Sequence, residues 1–304
     1  TIGGYALAIA KALDHGGIDS GRILRAAGIS PDITNDPLLR LPVATLTRLY
    51  RACVEVTHNP YFGLNVAKFI HISNLHALGY ALAASTNLLE YCERLERYFR
   101  LASQTANVKM IATAEEVSLE ITHLVDVCAE TEDAMMGFLI ISMRQLYRPD
   151  FNPTRVAFHH AALRDGPGPY ETLFRVPVTF SQTVAVFSFS RKDADYPLPG
   201  ACAELAQLND NLANRYMARL DKDDVLNTVR LKIIELLPSG DCSREKVACV
   251  MCMSPSTLQL KLAQRDSNFQ DLLDKIRNEL ARSYVRQQSL SITEITFLLG
   301  FSDT

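Results

Sequence analysis

Cys249 and Cys252 stand three residues apart in VACVMCMSPSTLQLKL (247–262), the pair whose type and spacing come nearest to working chemistry. Two such thiols can exchange a disulfide or hold a soft metal, and each use makes a demand on the rest of the chain. A structural zinc site needs four ligands. After Ala161 there is no histidine, and the only other cysteines in that stretch are Cys202 and Cys242. A thioredoxin-like site needs a βαβ setting, which is absent here. The pair therefore reads first as packing, with Cys249 at a core position and Cys252 at a turn. A thiol-responsive sensor is the second reading, and a metal site the last.

The other reactive residues are weaker candidates. His159 and His160, with His71, His76 and His123, have no fixed ligand spacing and read as strand-edge or core residues. Asp221, Asp223 and Asp224 read as the capped start of a helix, complementing its dipole. The aromatic residues Phe158, Tyr170, Phe174, Phe180, Phe187 and Phe189 read as core. No Gly-x-Ser-x-Gly, phosphate-binding loop or Gly-x-Gly-x-x-Gly is present, so an enzyme reading has little support. Nothing in the sequence calls for a cofactor or a metal.

The elements that must position these residues fall into two regions. The first hundred residues carry helical periodicity at 2–13, in a short second helix that Ser20 can cap, from Pro42 onward, and at 75–102 with a break at Ser85-Thr86-Asn87. From Asn107 the period changes to alternation: Val108 and Met110, then Val117, Leu119 and Ile121, predict a hairpin turning at Glu115-Glu116. Residues 131–146 return to helix. Strands are predicted at 155–160, 176–180 and 184–189, with Gly166-Pro167-Gly168-Pro169 as a loop and Pro197-Leu198-Pro199-Gly200 closing the domain. Beyond it the signals are all helical: a helix at 201–220, and a second from Asp221 whose Val225, Val229, Ile233 and Leu237 form one stripe.

A repeat accounts for the cysteines. Val247-Ala248-Cys249-Val250-Met251-Cys252-Met253-Ser254 aligns with Ile295-Thr296-Phe297-Leu298-Leu299-Gly300-Phe301-Ser302, 48 residues later. Each copy is a short apolar helix, a small residue at the turn, a large apolar residue, and a serine able to cap the next helix. That is the form of a helix-turn-helix. Phe269, Leu272, Leu273, Ile276, Leu280 and Tyr284 make the helix between the copies amphipathic. Some 20 residues of helix span about 30 Å, close to the ~34 Å between successive major-groove faces on one side of B-DNA.

Ser254, Thr257, Leu258 and Gln259, then Phe269, Arg277 and Ala281, lead to Ser291-Ile292-x-Glu294-Ile295-x-x-x-Leu299-Gly300-Phe301-Ser302-Asp303. Over roughly 225–304 this resembles the DNA-binding domain of the AraC/XylS family of transcription regulators. Phe174, Pro177, Val178, Phe180, Phe189 and Pro197-Leu198-Pro199, after a helical start, are similar to the subgroup with an "arabinose-binding" N-terminal domain, as in regulators of ornithine utilisation. The chain departs from the family at Leu260, commonly Arg, and at Asp266, commonly Gly. Leu260 cannot make a bidentate contact to guanine and can instead meet thymine methyls.

In the reading helix, 255–264, Ser256, Gln259 and Leu260 are placed for base edges and Ser254 and Thr257 for phosphate. Lys261 and Arg265 are the nearby charges, and Ser302 is the entry to the second reader. The expected fold is α+β. An N-terminal mixed α/β regulatory domain (1–200) leads through an interdomain helix (201–220) to an all-α domain (221–304) of two helix-turn-helix units joined by a long helix. The second unit is expected to be cut short, and a piece to be missing before Thr1.

The resemblance implies a sequence-specific activator that binds double-stranded promoter DNA, acts on RNA polymerase, dimerises, and answers to a small-molecule effector. Besides the thiol sensor, the alternative is a small-molecule-binding domain with a vestigial DNA reader. The overall charge of −3 does not describe a nucleic-acid coat. Residues 228–304, with 10 Lys and Arg against 9 Asp and Glu, are nearly neutral. The longest strongly apolar run, 135–143, is 9 residues, against the ~20 a membrane helix needs. Seven cysteines at irregular spacing fit a reducing compartment, and the expected location is the cytoplasm.

Overall fold

Alternating burial along Glu116–His123 shows how the sheet is built, because Val117, Leu119 and Ile121 point inward between polar neighbours. The computed structural model describes residues 1–31, 39–265, 267–287 and 291–301. The chain divides into two compact units, Thr1–Met217 and Ala218–Thr304.

The first unit holds a five-stranded sheet in the order β1-β2-β5-β3-β4. β1 (Ala106–Ala112) and β2 (Glu116–His123) form the expected hairpin, in register at Ala112↔Val117. β5 (Ala185–Ser190) lies between β2 and β3 (Arg155–Ala157), antiparallel to both, and β4 (Val178–Thr179) runs parallel to β3. As the middle strand β5 is buried on both faces, and its Ser188 hydroxyl meets Ser118 across the pair at 2.8 Å.

Among the described residues, α1 (Tyr5–His15), α2 (Ser20–Ala26), α3 (Val43–Thr57), α4 (Phe62–Ala67), α5 (His76–Ala83) and α6 (Leu88–Ala102) precede the hairpin, and α2 is capped by Asp19, which accepts the Arg22 N–H, rather than by Ser20. α7 (Ala129–Leu146) packs on α4 so closely that a Cβ on Gly63 would stand 2.5 Å from the Glu130 carbonyl oxygen. The expected strand at 155–160 stops at Ala157. The Gly-Pro-Gly-Pro loop runs into a helix, α8 (Gly168–Phe174), because Pro169 falls in the first turn, where its missing N–H costs nothing. α9 (Arg191–Asp195) follows β5.

One correction concerns the two expected helices at 201–220 and from Asp221. They are a single helix, α10 (Ala203–Leu236), of 34 residues. No glycine or proline interrupts the backbone there, and the break comes only at Leu237–Ser239, a 3₁₀ turn with Pro238 in its first positions and Gly240 left-handed behind it. The acidic run is therefore helix interior rather than a cap. Within the first unit α10 is held by Arg94, whose guanidinium clasps both carboxylate oxygens of Asp210 at 3.1–3.2 Å. Ala206 and Ala213 are buried on that side, whereas Leu205 and Leu208 are exposed.

The second unit continues with α11 (Arg244–Val250), α12 (Pro255–Ala263), α13 (Phe269–Gln287) and α14 (Ile292–Leu298). Its core joins Val229 and Ile233 of α10 and Leu237 of the turn that follows to Val247, Ala248, Leu258 and Leu262, closed by Phe269, Leu273 and Ile276 of α13.

Candidate nucleic-acid interface

Serine caps begin α11, α12 and α14. Ser243 accepts the N–H of Lys246, Ser254 that of Thr257 and Ser291 that of Glu294, and Glu294 returns a carboxylate to the Ser291 N–H to complete a capping box. Ser243 and Ser291 keep the 48-residue offset of the repeat.

The turns repeat bond for bond. After α11, Cys252 N–H donates to the Cys249 carbonyl and Met253 N–H to that of Ala248, both at 3.0 Å. After α14, Gly300 N–H donates to Phe297 and Phe301 N–H to Thr296, at 2.9 and 3.1 Å. This is the Schellman pattern, which requires a left-handed residue at its centre; φ is 53° at Cys252 and 71° at Gly300. Gly300 is doubly constrained, because a Cβ there would lie 2.6 Å from the Leu237 carbonyl oxygen. Arg277 of α13 clamps the second turn. Its Nε–H donates to the Leu299 carbonyl at 3.0 Å, and its guanidinium lies 4.5 Å from the centre of the Phe301 ring.

Cys252 thus occupies the turn, but Cys249 is not a core residue: it is exposed, as is its counterpart Phe297. In a helix as short as α11 only one stripe meets the core, and Val247 and Ala248 take it, turning Cys249 outward. The same rotation buries Ile295 and Leu299 in the second copy and leaves Phe297 outside.

On α12, Leu258 and Leu262 face inward and Ser256, Thr257 and Leu260 outward, Leu260 being 60% exposed. Ser254 is exposed, but its hydroxyl is engaged as the cap and by the Thr257 hydroxyl at 2.8 Å. Gln259 is half-buried on the flank, where it lines a surface groove with Ser243, Arg244, Glu245 and Asn268. Lys261 and Arg265 are half-buried. Ser302 and Asp266 lie outside the described residues. Ala263 and Gln264 share the outer face and were missed in the sequence. The spacing Ser256–Leu260–Gln264, one residue every fourth, is the signal that could have found Gln264.

The first unit assembles a second group of polar residues. Glu132 and Asp133 of α7 are buried. Glu132 accepts from the His159 N–H at 2.7 Å and meets His123 Nε2 at 2.9 Å. Asp133 meets His160 Nε2 at 3.0 Å and accepts the Tyr170 hydroxyl at 3.1 Å. Burial pushes the Asp133 carboxyl up to about 6 against the pull of His160. Burial works against the charged His160 ring, yet its hydrogen bond and attraction to Asp133 carry its pKa above the ordinary value. His123 and His160 are therefore side-chain partners of buried acids that sequence reasoning missed, whereas His159 reaches Glu132 only through its backbone N–H. Among the described residues, no three His, Cys, Asp or Glu side chains are placed to hold a metal, and no helix is long and apolar enough to cross a membrane.

Residues 17–198 match the family model described as the arabinose-binding domain of AraC transcription regulators, N-terminal. The ornithine utilization regulator of Pseudomonas aeruginosa is 23% identical over 99% of this chain and 89% of its own length. The HTH-type transcriptional regulator VirS of Mycobacterium tuberculosis is 25% identical over 94% of this chain and 85% of its own. The crystal structure of the transcriptional regulator CdpR from P. aeruginosa overlaps with a TM-score of 0.47 at 21% identity, over 93% of this chain and 89% of that one. An α+β domain followed by a helical unit built on a helix-turn-helix defines a DNA-binding regulator of transcription. The chain belongs to the AraC family, in the branch whose N-terminal domain is of the arabinose-binding type.

Proposed function

We propose that the chain reads promoter DNA with two helix-turn-helix units, one on α11 and α12 and the other entered through α14, set in adjacent major grooves by α13. The observation that carries this is the hydrogen-bonded turn repeated at Cys252 and Gly300. Nineteen residues of α13 span about 28 Å, near the ~34 Å groove repeat. In this reading Ser256, Gln259 and Leu260 meet base edges, Ser254 and Thr257 lie near phosphate, Lys261 and Arg265 supply charge, and Ser302 begins the second reader. Regulation comes from a small-molecule effector in the first unit. Self-association runs through the α10 face that exposes Leu205 and Leu208. The output is activation, through contact with RNA polymerase in the cytoplasm.

Footprinting and mobility shift on the chain's own promoter test this. Gln259→Ala should weaken specific binding about tenfold or more, the worth of an adenine contact of ~1–3 kcal/mol, and spare non-specific binding. Equal loss on both removes Gln259 from base readout. The absence of any salt-dependent, sequence-specific shift removes the DNA-reading function and leaves a small-molecule-binding domain with a vestigial reader. The exposure of both Cys249 and Cys252 favours a second reading, in which oxidation of the turn releases DNA. Binding lost on mild peroxide and restored by dithiothreitol supports it.

A further inference from the structure

The first unit holds a partly open cavity of about 80 Å³ between the β1–β2 hairpin and helices α1, α5, α6 and α7. An apolar void of ~150 Å³ accepts benzene, so a cavity of about half that size, open at one side, takes a slender chain rather than a ring. Its walls are hydrocarbon: Leu78, Phe99, Val108, Ile121, Met135 and Phe138 among others. The polar groups at its edge are almost all engaged. The Ser103 hydroxyl binds those of Thr1 and Thr105, at 3.2 and 2.8 Å. Glu132 accepts on both carboxylate oxygens, from the His159 N–H and from His123 Nε2. One atom is left over: Nδ1 of His123, a cavity-lining residue, is buried without a hydrogen-bond partner.

We propose that this cavity is the effector site and that it takes a neutral, short hydrocarbon-chain ligand with a single hydrogen-bond donor, such as an alcohol, which donates to His123 Nδ1. This deepens the effector reading above and rests on it. With the ring neutral and its Nε2 proton given to Glu132, Nδ1 presents a lone pair, so the missing partner is a donor. A sugar is a poor match, because it would bury a hydroxyl on every carbon against walls that offer one partner. An anionic head group is a poor match too, since it would set a second negative charge beside Glu132.

Ligand-observed NMR titration of the full chain tests the assignment with five-carbon probes: 1-pentanol, its isomer butyl methyl ether, pentanoate and arabinose. Pentanol should saturate, the ether should bind roughly tenfold more weakly for want of the donor, pentanoate should be weaker than pentanol, and arabinose should not bind. His123→Phe should erase the difference between alcohol and ether. If that variant fails to fold, the ranking on the unaltered chain still decides. Arabinose binding, an ether as tight as the alcohol, pentanoate tighter than pentanol, or no saturation by pentanol each overturns the proposal. None of these titrations involves DNA, so a chain that fails to bind its promoter leaves them standing. Pentanol that binds here without altering DNA binding removes the cavity's role as the effector site.

Discussion

Cys252→Gly should stabilise the second unit, although it deletes a side chain. A left-handed conformation costs an L-residue about 1–2 kcal/mol, and Cys252 sits at φ 53°. The thiol is exposed and no hydrogen bond of the turn depends on it, since the bonds run from backbone N–H groups to the carbonyls of Ala248 and Cys249. Glycine gives back roughly 0.5–1 kcal/mol through the greater freedom of the unfolded chain. The net gain lies between about 0 and 1.5 kcal/mol, and ~1 kcal/mol shifts the Tm of a domain of 60–100 residues by roughly 4–8 °C. Thermal unfolding of the full chain, followed by circular dichroism, should therefore place the second unit's transition a few degrees higher. Cys252→Ala, which keeps the Cβ, should gain nothing. The opposite change in the other copy, Gly300→Ala, should cost more than the conformational penalty alone, because its Cβ would meet the Leu237 carbonyl at 2.6 Å. If Cys252→Ala stabilises as much as Cys252→Gly, or if the glycine destabilises, the argument from backbone conformation is wrong.

The buried pair in the first unit predicts a pH signature. Between the ordinary 3.8 and the folded value of about 6, the folded chain holds a proton on Asp133 that the unfolded chain has released. That stability is complete below pH 3.8 and is lost as the pH rises through about 6; His160, also raised, acts in the same direction at higher pH. Relative to Asp133→Asn, the unaltered chain should lose on the order of 2 kcal/mol between pH 4.5 and 7.5 in urea midpoints, and a difference that grows with pH would contradict the assignment. Arg277→Ala removes the Nε–H bond to Leu299 and the stacking on Phe301, at a cost of roughly 1.5–3 kcal/mol in thermal unfolding. Arg277→Lys should recover less than half of that, and full recovery would show that charge alone matters there.

The Ser254 cap, the turn at Cys252 and Gly300, and the alternation of β2 are all legible in the sequence, because each rests on bonds or periods within a few residues. The same holds for the Phe269, Leu273 and Ile276 stripe of α13, which the structure buries. What faces a short helix is another matter. Cys249 and Phe297 look like core residues by composition, yet which stripe of α11 or α14 is covered depends on where α12, α13 and the end of α10 pass. The continuity of α10 was hidden by an acidic run that suits a cap as well as a helix interior, and local rules do not choose between them. Only the tertiary fold brings Glu132 to His123 and His159, and Asp133 to His160 and Tyr170, 9 to 37 residues away along the chain. Burial then gives those carboxylates their character, because a charge taken out of water is set by its few partners and not by its neighbours in sequence.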